Sequence, residues 1–301
     1  MAEFVDYLFG EESRSSAFGS VLSNLTDRET LSLRRQIAEF LNVSFRPESS
    51  SDQVASRVER IVYAHAMVGV QTEWVFDVLG TLSKIGKSAA LAAGMDQSEA
   101  NEFASHAAER LSILVSQSLK FEKEHDTKLQ DSIDGISRLI FSTSTVADFA
   151  RESLELISQV DGISGAYFGR PDEYGNLKFE HIGGRSFQFF KTLVESDRLP
   201  AISVDPNKTE GLGPAGRSWR SGDIQCSSVI EFDPTMSHWA DIYLAMGIRS
   251  TAAVPVLNRE GKAQALLGLY SQWPAYFNSR RRHRFLEQVR QSVSSALVEI
   301  G

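Results

Sequence analysis

Cysteine is nearly missing: Cys226 is the single one among 301 residues. One thiol excludes an internal disulfide and a multi-cysteine zinc site, and it fits a reducing compartment. Proline is almost as scarce in the first half, where Pro47 is the only one before Ser132. No run approaches the roughly 18 consecutive apolar residues of a membrane helix. The opening MAEFVDYLFGEESRSS lacks the basic start and cleavage site of a signal peptide. These absences give the expectation of a cytoplasmic chain with no membrane contact. Positive charge is in deficit, 31 basic residues against 39 acidic, for a formal net charge of −8. That argues against a broad cationic face and so against nucleic acid as a partner.

Apolar residues make up 42% of the chain and charged residues 23%, which is ordinary for globular domains. After Gly162 come seven prolines and many glycine turns. This shift predicts two domains, the first all-helical and the second mixed α/β. In the first, Thr26 and Glu29 read as a capping box. Pro47 and the run Glu48 to Ser51 break the pattern. Val54, Val58, Ile61, His65 and Val68 then form one helical stripe, closed by Gly69. Further helices are expected over 72–91 and from Ser98 towards His125. The charged stretch 121–130 reads as a helical linker, followed by one helical stretch from Ile133 to Val160. Beyond it, strands are expected at 165–168, 177–182, 251–257 and 265–270, with a last helix capped by Asn278 or Ser279. The basic run Arg280 to Arg284 reads as a solvated turn.

The segments GLGPAGRSWRSGDIQ (211–225), EFDPTMSHWADIYLAMGIRSTAAVPV (231–256) and NREGKAQALLGLYSQWPAYF (258–277) together resemble a GAF domain. The resemblance covers about 133–301. It implies a central antiparallel sheet with helices on one side and a small-ligand pocket on the other. Candidate pocket residues are Tyr167, Phe168, Trp219, Trp239, Tyr243 and Tyr270, with Phe187, Phe190, Phe232 and Ala252. His181 and His238 are alternative heme ligands in this half. The competing reading is that these aromatics are simply core.

RVERIVYAHAMVGVQTEWV (57–75) resembles the F-helix region of globin-coupled sensors, with His65, Gly69 and Trp74 in place. LSNLTDRETLSLRRQIAEFLNVSF (22–45) and FVDYLFGEES (4–13) resemble its E-helix and late B-helix regions. The resemblance covers about 1–125 and implies a shortened globin-like domain lacking the first helix. It implies heme held through His65 as the metal ligand, with Tyr7, Val68 and Trp74 beside it. It also implies a homodimer through the last helices of that domain and the linker. The residues agree on one point: an imidazole on an apolar stripe costs desolvation unless it gains a partner, and iron is one.

The expected organisation is therefore a truncated globin-like domain over 1–125 and a helical linker plus GAF domain over 126–301. The expected function is a sensory, non-enzymatic chain that binds heme and responds to a diatomic gas or to redox state. The alternative is a heme-free dimerisation scaffold whose GAF domain binds a small organic ligand or a protein partner. A third reading is that the chain is the sensory part of a longer signalling protein of the diguanylate cyclase type, with any output enzyme outside these residues.

Overall fold

The computed structural model describes residues 2–10, 17–44, 51–184, 188–196 and 199–300. The chain forms two compact units, Met1–Glu124 and His125–Gly301.

The first unit is helical: α1 (Ala2–Phe9), α2 (Ala17–Leu22), α3 (Asp27–Ser44), α4 (Ser51–Val68), α5 (Thr72–Ala92) and the start of α6 (Gln97–Ser142). The expected capping box is present. Glu29 N–H donates to Thr26 Oγ1 at 3.3 Å, and Thr26 N–H donates back to Glu29 Oε2 at 2.8 Å. Two of the unpaired donors at the start of α3 are thereby satisfied. α6 opens the same way on Asp96, whose carboxylate accepts from Ser98 and Glu99 N–H. Asp96, not Ser98, is therefore its cap. Pro47 and the run 48–50 lie outside the described residues. The core joins Val5, Leu8, Phe40, Leu41, Val54, Val58, Val62, Val75, Leu82 and Leu114.

α4 ends on a left-handed glycine, Gly69, at φ +83°. Val70 N–H reaches the His65 carbonyl at 2.8 Å, and Gly69 N–H reaches that of Ala66 at 3.3 Å. This is the Schellman closure, in which the glycine stands four residues after the helix residue whose carbonyl is capped. The His65–Gly69 spacing thus has a backbone reason: it sets His65 in the last full turn of α4.

α6 runs unbroken through the expected linker to Ser142. The single helical stretch expected over 133–160 is instead two helices. Thr143 Oγ1 donates back to the Leu139 carbonyl, and Thr145 Oγ1 accepts from Asp148 N–H at 3.1 Å. These short polar side chains compete with the helix ladder, so the chain breaks and restarts as α7 (Val146–Ile157).

The second unit continues with β1 (Gly165–Pro171), β2 (Leu177–Gly183), α8 (Gln188–Glu195), α9 (Pro214–Ser221), β3 (Gln225–Ser227), α10 (Ala240–Ala245), β4 (Ser250–Leu257), β5 (Ala263–Ser271) and α11 (Arg280–Ile300). The five strands form one antiparallel sheet in the order β2-β1-β5-β4-β3. α7 packs on β1 and β2, and α11 on β4. α9 also packs on β4, where Ser218 Oγ donates to the Ala253 carbonyl at 3.2 Å. The Cβ of an alanine at 216 would stand 2.1 Å from the Gly211 carbonyl oxygen, so the glycines of 211–216 let α9 lie on its own loop.

Ser279 caps α11, accepting from Arg282 N–H at 3.3 Å. The basic run that follows is the first turn of α11; Arg280, Arg281, His283 and Arg284 are exposed, as a solvated run would be, but Arg282 is not. Arg282 is buried, its guanidinium lies 3.8 Å from the Tyr276 ring centroid, and it donates to the Tyr276 carbonyl. Arg281 pairs with Asp126 at 3.1 Å.

Thr26→Ala removes one half of the α3 capping box. It should lower stability by about 1 kcal/mol, read as a shift in the urea midpoint of the helical unit. An unchanged midpoint would show that the cap contributes nothing.

Candidate functional site

The helical unit holds a cavity of about 480 Å³, a size typical of small-ligand sites. α1 contributes Leu8; α3 contributes Leu33, Ile37, Phe40 and Leu41; α5 contributes Trp74, Val75, Val78, Leu79 and Leu82; α6 contributes Leu114. α4 supplies Ile61, Ala64 and His65 together with Arg57 and Arg60. Gln36 and Glu39 complete the polar lining.

His65 is half-buried, and its Nδ1 is buried with no hydrogen-bond partner. Burial pulls the imidazole down from 6.5 to about 4, because the cationic form loses its hydration there. At neutral pH the ring is uncharged, the state in which imidazole ligates metals. The expected α4 stripe divides in the fold: Val54 and Val58 enter the core, while Ile61 and His65 line the cavity. Trp74 lines the cavity. Val68 does not; it is the last residue of α4, about 4.5 Å farther along the axis than His65, and it packs against the hydrophobic core. The side chain of Tyr7 lies outside the described residues.

Sequence reasoning missed Arg57, Arg60 and Gln36. The signal was available for two of them: Arg57, Ile61 and His65 fall at i, i+4 and i+8, and Arg60 and Ala64 at i and i+4. They were overlooked because charged residues read as the solvated face of a helix. Among the described residues no group of three or more His, Cys, Asp and Glu is placed to hold a metal ion. A heme iron needs only one imidazole from the chain. An apolar cavity of this size with one neutral histidine on its wall therefore fits heme.

In the second unit, Tyr167, Trp239, Tyr243 and Tyr270 come together in one cluster on a face of the sheet. They enclose only about 20 Å³, room for about one water. Tyr243 and Tyr270 hydroxyls are 3.0 Å apart. Phe190 fills the space against them, its centroid 5.8 Å from that of Tyr270. Trp239 donates to the Pro200 carbonyl at 3.1 Å. Burial raises all three tyrosines above their ordinary value, so the hydroxyls stay neutral. Tyr167 is paired with Gly268 across the β1–β5 ladder. A Cβ on Gly268 would stand 2.1 Å from the Tyr167 ring, so only glycine admits the ring at that point.

Three expected pocket residues fall elsewhere. Phe168 follows Tyr167 on β1 and so points to the opposite face of the sheet, where it is fully buried with Arg170 over its ring at 5.5 Å. Trp219 packs at the edge of the cluster and does not line the cavity. Phe232 is exposed, and Phe187 lies outside the described residues. His238 is exposed and His181 is half-buried on β2; neither lines the small cavity. Cys226 sits beside Arg217, yet burial still pushes its thiol up to about 11. A thiol held protonated is a poor nucleophile.

A family model described as GAF domain matches residues 143–298. The chain belongs to the GAF-domain family. This GAF domain is similar to solved structures at low identity. One is the free methionine-R-sulfoxide reductase of Neisseria meningitidis in complex with its substrate: 15% identity, 57% of this chain and 89% of that one, TM-score 0.44. Another is the nlh2 GAF domain of A. aeolicus in an inactive state: 13% identity, 57% and 91%, TM-score 0.40. A third is the GAF domain of an Acinetobacter phosphoenolpyruvate-protein phosphotransferase: 15% identity, 56% and 92%, TM-score 0.42. Among curated proteins none matches the chain. No helix among the described residues is long and apolar enough to cross a membrane.

Two measurements follow. The unfolded chain protonates His65 below about pH 6.5, whereas the folded one resists down to about 4. The stability linked to the neutral imidazole is thus complete above pH 6.5 and is lost as pH falls from there towards 4. In urea titrations at pH 7, 6, 5 and 4, His65→Leu should lose stability less steeply than the wild type. Equal slopes would refute the buried imidazole. Separately, Gly268→Ala should cost about 1–3 kcal/mol by overpacking, and much less in a Tyr167→Ala background. The same cost in both backgrounds would show that the Tyr167 ring is not what excludes a side chain.

Proposed function

We propose that this chain is a heme-based sensor in which the helical unit, built as a globin-like domain, binds heme through His65. The observation that carries the reading is the neutral imidazole of His65 on the wall of a 480 Å³ apolar cavity, its Nδ1 without a partner. Heme supplies, when bound, an iron that takes up a diatomic gas or changes redox state. His65 holds the iron, and the Gly69 closure of α4 keeps the imidazole in its place on the wall. Leu33, Ile37, Phe40, Val78 and Leu82 exclude water from the cofactor. Trp74, at the start of α5, would form part of the same wall.

In this reading the chain is cytoplasmic and regulatory and carries out no chemistry of its own. The raised thiol of Cys226 is in keeping with a non-catalytic GAF domain. A homodimer through α5 and α6 passes the ligand state to the GAF domain, and any output enzyme lies beyond these residues. The alternative, a small organic ligand in the GAF domain, requires the Tyr167–Tyr243–Tyr270 cluster to open first, since 20 Å³ admits none.

Titration of the purified chain with hemin, followed by absorption, tests the proposal. The wild type should show a saturable Soret band at one heme per chain. His65→Ala should lose it while keeping its circular dichroism. Equal loading of the variant, or no saturable band in the wild type, would sink the assignment.

A further inference from the structure

We propose that the cavity of the helical unit takes an amphipathic carboxylate, an apolar body whose acid group is held by Arg57 and Arg60. The inference rests on reading this cavity as a ligand site and names the chemistry of its occupant. The lining is apolar except at one stretch of α4 and its facing positions on α3. Arg57 is half-buried and Arg60 exposed. Neither makes a hydrogen bond or an ion pair among the described residues. Arg34 of the same unit, by contrast, pairs with Asp6. A half-buried arginine beside an apolar wall gives up part of its hydration and ordinarily takes an acidic partner in return. Glu39 also lines the cavity and Glu59 lies on α4, yet among the described residues neither forms an ion pair with an arginine. The cavity therefore presents two guanidinium groups against one carboxylate.

The spacing sets the size of the occupant. Arg57 and His65 stand eight residues apart on one face of α4, about 12 Å along its axis. Ile61 and Ala64 lie between them. An apolar body of that length would meet the imidazole at one end and present its acid at the other. Guanidinium binds carboxylate through two parallel hydrogen bonds, so the pair fixes orientation as well as charge. Two sources share this chemistry: a tetrapyrrole bearing carboxylate side chains, and a long-chain fatty acid.

The test uses the full chain and three probes: hemin, hemin dimethyl ester and hexadecanoate. The variants are R57Q/R60Q and, as a control for folding, R57K/R60K, with circular dichroism read on both. If the tetrapyrrole is the source, the wild type should bind hemin about tenfold or more tightly than its ester, one lost charge-assisted contact in free energy. R57Q/R60Q should remove that preference, and R57K/R60K should keep part of it. If the fatty acid is the source, hexadecanoate should bind the wild type and be lost in R57Q/R60Q. Hemin binding that needs His65 but ignores both arginines would overturn this proposal and leave the heme reading standing. No hemin binding, with arginine-dependent hexadecanoate binding, would do the reverse. Failure of every acid to distinguish the wild type from R57Q/R60Q overturns it, whether through equal affinity or through no binding at all.

Discussion

An imidazole set against hydrocarbon loses the water that would stabilise its cation, and the chain around it must live with that loss. In the helical unit this constraint organises the cavity. His65 is kept neutral by burial, and its position follows from the Gly69 closure of α4. The helices facing it offer leucine, isoleucine, valine, phenylalanine and tryptophan, with one glutamine and one glutamate among them. Charge appears in force only one and two turns back along α4, at Arg60 and Arg57. A wall graded in this way, apolar around the ring and cationic farther along, suits a ligand with two chemically different ends.

The GAF domain solves the opposite problem. One face of its sheet holds aromatic rings in mutual contact, with a paired set of phenol hydroxyls and room for about one water. Gly268 makes this filling possible, because the Tyr167 ring occupies the place of its missing side chain. The two units thus differ in a physical sense that bears on sensing. One has space lined by hydrocarbon, and the other has spent its space on packing. A ligand entering the GAF domain must displace rings, at a cost in packing and in the Tyr243–Tyr270 hydrogen bond. A ligand entering the helical unit displaces none of the rings that line its cavity.

Much of this was legible along the chain. Thr26 and Glu29 announced the start of α3 because a capping box is local chemistry, complete within four residues. His65, Gly69 and Trp74 were legible for a similar reason: helix closure and the next helix start are set by neighbours in sequence. The alternation in 177–182 and the apolar runs at 251–257 and 265–270 identified strands. Where the reading failed, the deciding information was non-local or was masked by a general expectation. Phe168 was grouped with Tyr167, although strand parity sends adjacent side chains to opposite faces. The helix expected over 133–160 breaks because Thr143 and Thr145 take up backbone groups that the ladder would otherwise use. Arg282 was read as solvated; only the approach of Tyr276 makes it a buried residue.

The sequence by itself determined the two kinds of secondary structure, the caps that bound them, the membership of the second half in the GAF-domain family, and the histidine worth following. These depend on composition, periodicity and contacts a few residues apart. Only the tertiary structure decided that one set of aromatic candidates closes a pocket while another set of apolar residues opens one. Whether facing side chains meet or leave a gap depends on how separate helices and strands approach. That approach is set by packing over tens of residues, and the periodicity of any single segment does not contain it.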